Sequence, residues 1–264
     1  LGDKITVQES DWNCVLMATA NTKNKPFDDV RVRQALTLAV DRYSASKYLS
    51  NIAIVKTVGG IVFPGHPLAI NQAEMEQLIG YSKDIEASRA TARQLLKDAG
   101  VPEGFKFTFN NRGVDQPYKV VGTWLVDQWR KVGLDPQQTV KPSPQFYATL
   151  RKKYDFDVSI DFNCQSVINP IADVSKFLCS AGNNYSQCDN QEIEDLYDRL
   201  MKAATLDDQK AAMRAYEKAA VDFAGSSITL WWYKINPHRS YVKGWNIAPS
   251  HYLNQHLDNV WLDQ

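Results

Sequence analysis

The middle of the chain alternates strand patterns with helix patterns, and this order limits the possible folds more than any other feature. Phenylalanine occupies every second position over residues 105–109, and apolar and polar side chains alternate over residues 156–162, as in strands. Residues 117–132 and 144–152 have helical spacing, and a short strand pattern at 137–140 lies between them. This order predicts parallel strand pairing and an α/β domain.

Two strand patterns lead into an amphipathic helix near the start of the chain. We expect the strands at residues 5–9 and 12–20. Asp28 is expected to cap the helix that follows, and Asp29 and Arg33 stand four residues apart in the acid-first order that favours an ion pair. The charged side of this helix is therefore interpreted as structural.

The composition indicates a globular protein and excludes several functional classes. Of 264 residues, 44% are apolar, which suffices for a core, and 30 basic residues balance 30 acidic ones. No cluster of basic and aromatic residues occurs, so we predict no binding to nucleic acid. The apolar runs are too short to cross a bilayer. Residues 1–4 do not begin an export signal, so any such signal is expected outside this sequence.

Motifs for catalysis and metal binding are missing from the sequence. There is no Gly-x-Ser-x-Gly, no His-Glu-x-x-His and no phosphate-binding glycine loop. None of the four histidines has a recognised catalytic setting: His66, His238, His251 and His256. We therefore predict a protein that is not an enzyme and has no cofactor or metal. A hydrolase and a sensor or scaffold without a transport role remain the alternatives.

The four cysteines lack the short paired spacing of a structural zinc site. Cys179 and Cys188 bracket a small polar loop, and we predict a disulfide between them, which fits an oxidising compartment. Two buried free thiols are the alternative. Whether Cys14 and Cys164 pair is left open, because only the fold could bring them together.

Residues 26–35 read Pro-Phe-Asp-Asp-Val-Arg-Val-Arg-Gln-Ala and run into Ala-Val-Asp-Arg at 39–42. This segment resembles the motif of family 5 of the extracellular solute-binding proteins, the peptide-, nickel- and oligopeptide-binding components of ABC importers. Other segments follow in the family's order: residues 84–100, 129–134 and 154–157. The resemblance covers roughly residues 12–264.

The resemblance implies a periplasmic-binding-protein-like fold, type II and peptide-binding class, with a mixed, partly parallel sheet flanked by helices. Proteins of this family close two lobes on a solute and deliver it to a permease in the inner membrane, and they perform no chemistry. Residues 1–240 are expected to form the second, C-terminal lobe, and residues 241–264 a tail returning to a first lobe whose sequence is missing. The chain is therefore interpreted as a fragment of a periplasmic protein that binds a peptide or a related small solute.

Ligand contacts are expected from loops at the carboxyl ends of the parallel strands. The main candidate is the loop at residues 163–170, from which the predicted ligand-binding residues are Asn163, Cys164, Gln165, Ser166 and Asn169. In peptide binders of the family an acid in this loop pairs with the peptide's amino group. Ser166 stands in its place and Asn169 replaces the aspartate of an Asp-Pro pair, so hydroxyl, carbonyl or amide partners are favoured over an amine.

Four further residues are predicted to contact the ligand. Arg112 follows a strand and could bind a carboxylate with two hydrogen bonds, the alternative being a solvated loop arginine. Trp232 lies in an aromatic run whose neighbours must face opposite sides of a strand, and stacking suits many ligands. Met17 and Thr19 lie on the strand that enters near the hinge of the family, where core packing is the alternative.

Overall fold

A mixed six-stranded sheet organises the fold in the computed structural model, which describes residues 2–250 and 256–263. Its strands are β1 (Ile5–Ala20), β2 (Val55–Thr57), β3 (Phe105–Arg112), β4 (Leu134–Lys141), β5 (Val158–Cys164) and β6 (Ser226–Arg239). The order across the sheet is β2-β6-β1-β5-β3-β4. Strand β3 runs parallel to β4 and β5, whereas β1 is antiparallel to β5 and β6. The predicted α/β class and parallel pairing are confirmed.

Helices cover both faces of this sheet. They are α1 (Val30–Leu38), α2 (Arg42–Leu49), α3 (Gln72–Met75), α4 (Ile85–Asp98), α5 (Val120–Arg130), α6 (Ser143–Ala148), α7 (Gln191–Lys202) and α8 (Leu206–Phe223). Strands β7 (Val242–Lys243) and β8 (Trp261–Leu262) form a separate antiparallel pair. Within the described ranges, no helix is both long and apolar enough to span a membrane.

Apolar side chains pack into two cores, one on each face of the sheet. On β1, Leu16 faces a core formed with α1, α4 and α5, whereas Val15 and Met17 face a second core beside α7 and α8. The adjacent Trp231 and Trp232 on β6 divide between the same two cores. The alternation predicted for the aromatic run on β6 is therefore confirmed.

The first helix begins one residue later than predicted and has a different ion pair. Asp29, not Asp28, is the N-cap, and its carboxylate accepts a hydrogen bond from the amide of Arg31. Asp29 also pairs with the Arg31 side chain at 2.6 Å, so the predicted pair with Arg33 is wrong. Arg33 instead turns inward, where its guanidinium donates to the carbonyls of Phe27, Asp28 and Phe223. Backbone acceptors inside the fold therefore replace the expected carboxylate.

The two predicted strands at residues 5–9 and 12–20 are one continuous strand, because β6 pairs along its whole length. A register shift between Asp11 and Val15 accommodates the irregular pattern between them. The outer half of this pairing, residues 5–11 with 233–239, has no third strand beside it in the described part of the chain, and we call it the ribbon. The ribbon projects beyond the six-stranded sheet.

Two disulfides close the fold. Cys179 and Cys188 are joined, as predicted, with an S–S distance of 2.03 Å. Cys14 and Cys164, left open by the sequence, are also joined, because they stand directly opposite each other in the register of β1 and β5. One of the four histidines considered in the sequence, His251, lies outside the described residues.

Candidate functional site

The carboxyl ends of the parallel strands bring basic side chains together. Arg112 ends β3 and Lys141 ends β4, and the two residues are register partners. Lys141 donates through Nζ to the hydroxyl of Thr149 at 3.1 Å. Arg151 follows α6 on the connection into β5. We call Arg112, Lys141 and Arg151 the cationic edge.

Aromatic rings hold the Arg112 guanidinium in place. Its Nε donates to the Ser143 hydroxyl at 2.9 Å, and its central carbon lies 4.8 Å from the ring centre of Tyr118 and 5.2 Å from that of Tyr147. Tyr118 is buried, and this burial raises the pKa of its phenol, which therefore stays neutral. Arg112 is thus a half-buried, positioned arginine, not a mobile loop residue.

The same arrangement continues to a buried ion pair. The guanidinium of Arg151 lies 4.3 Å from the Tyr147 ring centre, and its Nε donates to the Tyr185 hydroxyl at 3.1 Å. The Tyr185 ring also lies 4.2 Å from the ammonium of Lys176. Lys176 in turn pairs with Asp161 at 2.6 Å, and both side chains are almost fully buried. Rings and cations therefore alternate along this edge.

The loop at residues 163–170 presents Ser166 and Asn169 to solvent and secures its own backbone. The Ser166 hydroxyl accepts hydrogen bonds from the amides of Ile168 and Asn169, both at 3.2 Å. The Ser166 amide donates to a carboxylate oxygen of Asp173 at 2.7 Å, and the Asn163 side chain donates to the Asp173 carbonyl at 3.1 Å. The loop thus does hold a carboxylate, which comes from seven residues after Ser166.

Gln165 lies inside the structure and joins two loops. Its side chain is 2% exposed, accepts from the amide of Phe63 at 2.9 Å and donates to the carbonyl of Ile61 at 2.6 Å. The backbone amide of Gln165 donates to the Asn13 carbonyl at 2.8 Å. In this structure Gln165 therefore fixes the loop beneath Ser166 without exposing polar atoms of its own.

The remaining predicted site residues are mostly interior. Met17 and Thr19 have no exposed surface, and the Thr19 hydroxyl lies 2.8 Å from that of Ser226. Trp232 is 8% exposed and makes an edge-to-face contact with Trp12 at 5.2 Å. Cys164 is joined to Cys14. Of the predicted set, the structure thus brings Arg112, Ser166 and Asn169 to accessible positions at the strand ends.

Comparison with known sequences assigns the family. The sequence model described as bacterial extracellular solute-binding proteins, family 5, middle region, matches residues 2–185. The chain belongs to this family. It is 26% identical over 256 residues to the dipeptide-binding protein of Escherichia coli, a match that covers 92% of this chain and 44% of that protein. It is 34% identical over 118 residues to the di/tripeptide-binding protein 1 of Pseudomonas aeruginosa, covering 43% of this chain and 20% of that protein.

Solved structures show the same fold in this solute-binding family. The Escherichia coli murein tripeptide-binding protein MppA superposes with a TM-score of 0.83 at 17% identity, over 99% of this chain and 50% of that one. The Helicobacter pylori periplasmic binding protein DppA, solved with the peptide STSA, gives 0.79 at 19% identity, over 100% and 50%. The chain therefore has the type II fold that its sequence predicts, and it spans about half the length of the relatives it matches.

Several residues at the cationic edge of this family member were missed by sequence reasoning. Tyr147 and Arg151 are four residues apart at helical spacing, a signal that could have paired them. The Asp161–Lys176 pair and the position of Asp173 beside Ser166 carry no such signal, because each depends on how loops fold back. These contacts became visible only in three dimensions.

A buried carboxyl and a half-buried ammonium lie elsewhere in this family member. Glu217 on α8 has no exposed surface; one of its oxygens accepts from the Ile61 amide at 2.7 Å, and burial raises the pKa of its carboxyl to about 7. Lys234, at the base of the ribbon, donates to the carbonyls of Ala248 and Ser250. Burial lowers the pKa of the Lys234 ammonium to about 8. Across the described ranges, no group of three or more His, Cys, Asp or Glu side chains forms a metal site.

Proposed function

We propose that the chain is the ligand-capturing lobe of an extracytoplasmic solute-binding protein. It captures a peptide or a related small polar solute and delivers it unchanged to an ABC permease in the membrane. The observation that carries this proposal is the positioned Arg112 at the carboxyl edge of a sheet whose fold is shared with binding proteins for peptides. Periplasmic location and absence of catalysis follow as parts of the same proposal.

The ribbon supports a two-lobed arrangement. Residues 1–240 form the second lobe in this proposal, and the tail at 241–264 returns to a first lobe that this chain does not contain. Both strands of the ribbon leave the sheet side by side, with Val7 and Ile235 exposed on them. The half-length matches to relatives fit this division.

Each predicted ligand residue has a place in this proposal. Arg112 binds a carboxylate of the solute, while Ser166 and Asn169 offer hydroxyl and amide groups. Asp173, held against Ser166, is the carboxylate of this loop that is available to an amino group. The other members are more enclosed: Asn163 and Gln165 hydrogen-bond to neighbouring segments, and Cys164 joins the loop to β1. Met17, Thr19 and Trp232 lie in the interior.

The test uses the two-lobed protein that this proposal requires. Titration with a panel of di- and tripeptides, followed by tryptophan fluorescence and calorimetry, is expected to show saturable binding. Mass spectrometry of the released peptide is expected to show an unchanged mass after prolonged incubation. Cleavage of the peptide would indicate a hydrolase instead, and absence of binding across the panel would refute peptide capture.

A further inference from the structure

The cationic edge carries positive charge that the described residues do not balance. Arg112, Lys141 and Arg151 make no ion pair with a carboxylate, since the nearby Asp161 is already paired with Lys176. Arg112 and Lys141 are neighbours across two parallel strands. Like charges on neighbouring strands repel each other, and an added anion would relieve that repulsion.

Tyr147 brings two of these charges to one place. The guanidinium carbons of Arg112 and Arg151 lie 5.2 and 4.3 Å from the centre of its ring. Each guanidinium has a further support, the Ser143 hydroxyl for Arg112 and the Tyr185 hydroxyl for Arg151. Two planar cations with fixed orientation around one ring are suited to two carboxylates a short distance apart.

We propose that Arg112 and Arg151, arranged around Tyr147, form a site for a solute with two acidic groups, such as a peptide that ends in glutamate or aspartate. This inference rests on the proposed function, because it names the class of solute captured at the same edge. Arg112 takes one carboxylate and Arg151 the other, while Lys141 adds charge behind them. A solute with a single carboxylate leaves one guanidinium unpaired and binds more weakly.

The experiment compares the binding of Ala-Glu and Ala-Gln to the two-lobed protein. Ala-Gln has nearly the same shape as Ala-Glu but one negative charge fewer. The salt concentration is 0.15 M, at which interactions between charges more than about 8 Å apart are largely screened. Calorimetry is expected to give Ala-Glu at least about tenfold tighter binding, as for a charge-assisted hydrogen bond. Arg151→Gln is expected to bring the ratio of the two affinities to about one, mainly by weakening Ala-Glu binding. Arg151 is exposed, so this variant keeps the fold, which circular dichroism checks.

Lys153→Gln is the matched control, because Lys153 is an exposed cation two residues away and makes no ring contact like those of Arg151. Equal affinities for the two peptides in the wild type would overturn the proposal. So would an equal loss of preference in both variants, which would indicate only a general positive field. Glutarate is included as a probe: if it binds in an Arg151-dependent way while no peptide binds, the acidic site stands and peptide capture fails. Absence of binding by every probe would refute both the acidic site and peptide capture.

Discussion

Arg42 and Arg112 both lack a carboxylate partner within the described residues, yet their surroundings are opposite. Arg42 is 1% exposed and stacks 4.7 Å from the Tyr81 ring centre. Its guanidinium donates to four backbone carbonyls, those of Thr37, Val40, Gly80 and Ile228. Arg112 is half-buried and is held by a hydroxyl and two rings. Within the described ranges, no backbone carbonyl accepts a hydrogen bond from the Arg112 guanidinium.

The difference separates a structural arginine from one available to a ligand. Burial lowers the pKa of the Arg42 guanidinium, and the fold offsets that cost with acceptors of its own. The rings fix the orientation of the Arg112 guanidinium, but no anion among the described residues pairs with it. Arg42 should therefore govern stability and Arg112 should govern binding.

Arg42→Met tests the structural half of this comparison and has the largest expected effect. The substitution leaves several buried carbonyls without a donor, so we expect the free energy of unfolding to fall by about 3–5 kcal/mol. Urea denaturation of the purified chain measures it. A loss below about 1 kcal/mol would mean that the carbonyls find other donors.

Glu217→Gln sharpens the comparison from the acidic side, because one carboxylate oxygen of Glu217 has no hydrogen-bond partner among the described residues and lies 3.8 Å from a guanidinium nitrogen of Arg214. Its pKa is about 7 in the fold and 4.5 otherwise, so its contribution to stability is present below pH 4.5 and is lost as the pH rises to 7. Relative to the Gln variant, the wild type should lose about 3 kcal/mol between these pH values. Urea denaturation across this pH range measures the difference. The control is Glu192→Gln, because Glu192 is an exposed acid. If the free energy of unfolding of Glu217→Gln followed that of the wild type in parallel over this pH range, the raised pKa of Glu217 would be contradicted.

Arg112→Gln tests the ligand half. Losing one charge-assisted contact should weaken peptide binding by about 10- to 100-fold, while the free energy of unfolding changes by less than about 1 kcal/mol. Calorimetry and urea denaturation on the same preparation separate the two effects. If stability fell as far as in Arg42→Met, Arg112 would belong to the structural class.

Arg31→Ala has the smallest expected effect and sets the baseline. Arg31 is exposed, pairs with Asp29 and donates to the Asp98 carbonyl at 3.0 Å, and solvent screens both interactions. We expect no measurable change in thermal midpoint or in peptide affinity. A clear loss of either would show that the charged side of α1 has a further partner.

Strand order along the chain was readable from the sequence because local periodicity survives folding. Phe107 and Phe109 pack into the same core, as their spacing predicts, and the Cys179–Cys188 bridge follows from a short polar loop. The pairing of Cys14 with Cys164 was not readable, since 150 residues separate them and only the register of two strands brings them together.

The candidate site was predicted only in part. The carboxyl edge was the expected place, and Arg112 lies there. Gln165 was expected to face a ligand, but its side chain satisfies two backbone groups of another loop, a contact that no local pattern encodes. Arg33 shows the same limit, because helical spacing pairs it with Asp29, whereas its guanidinium turns inward to backbone carbonyls.

The ribbon has a mechanical consequence. Backbone hydrogen bonds fix the length of a two-stranded strip, but with no third strand beside it the strip twists more readily than a wide sheet. The base of the ribbon is held by β2, whose Thr57 hydroxyl donates to Asp11, and farther out Gln8 receives a hydrogen bond from the Ile247 amide of the tail. A body attached at the far end of the ribbon would stay at a fixed distance from the six-stranded sheet but could rotate relative to it. The sheet could then stay rigid while the space beside Arg112 opens and closes.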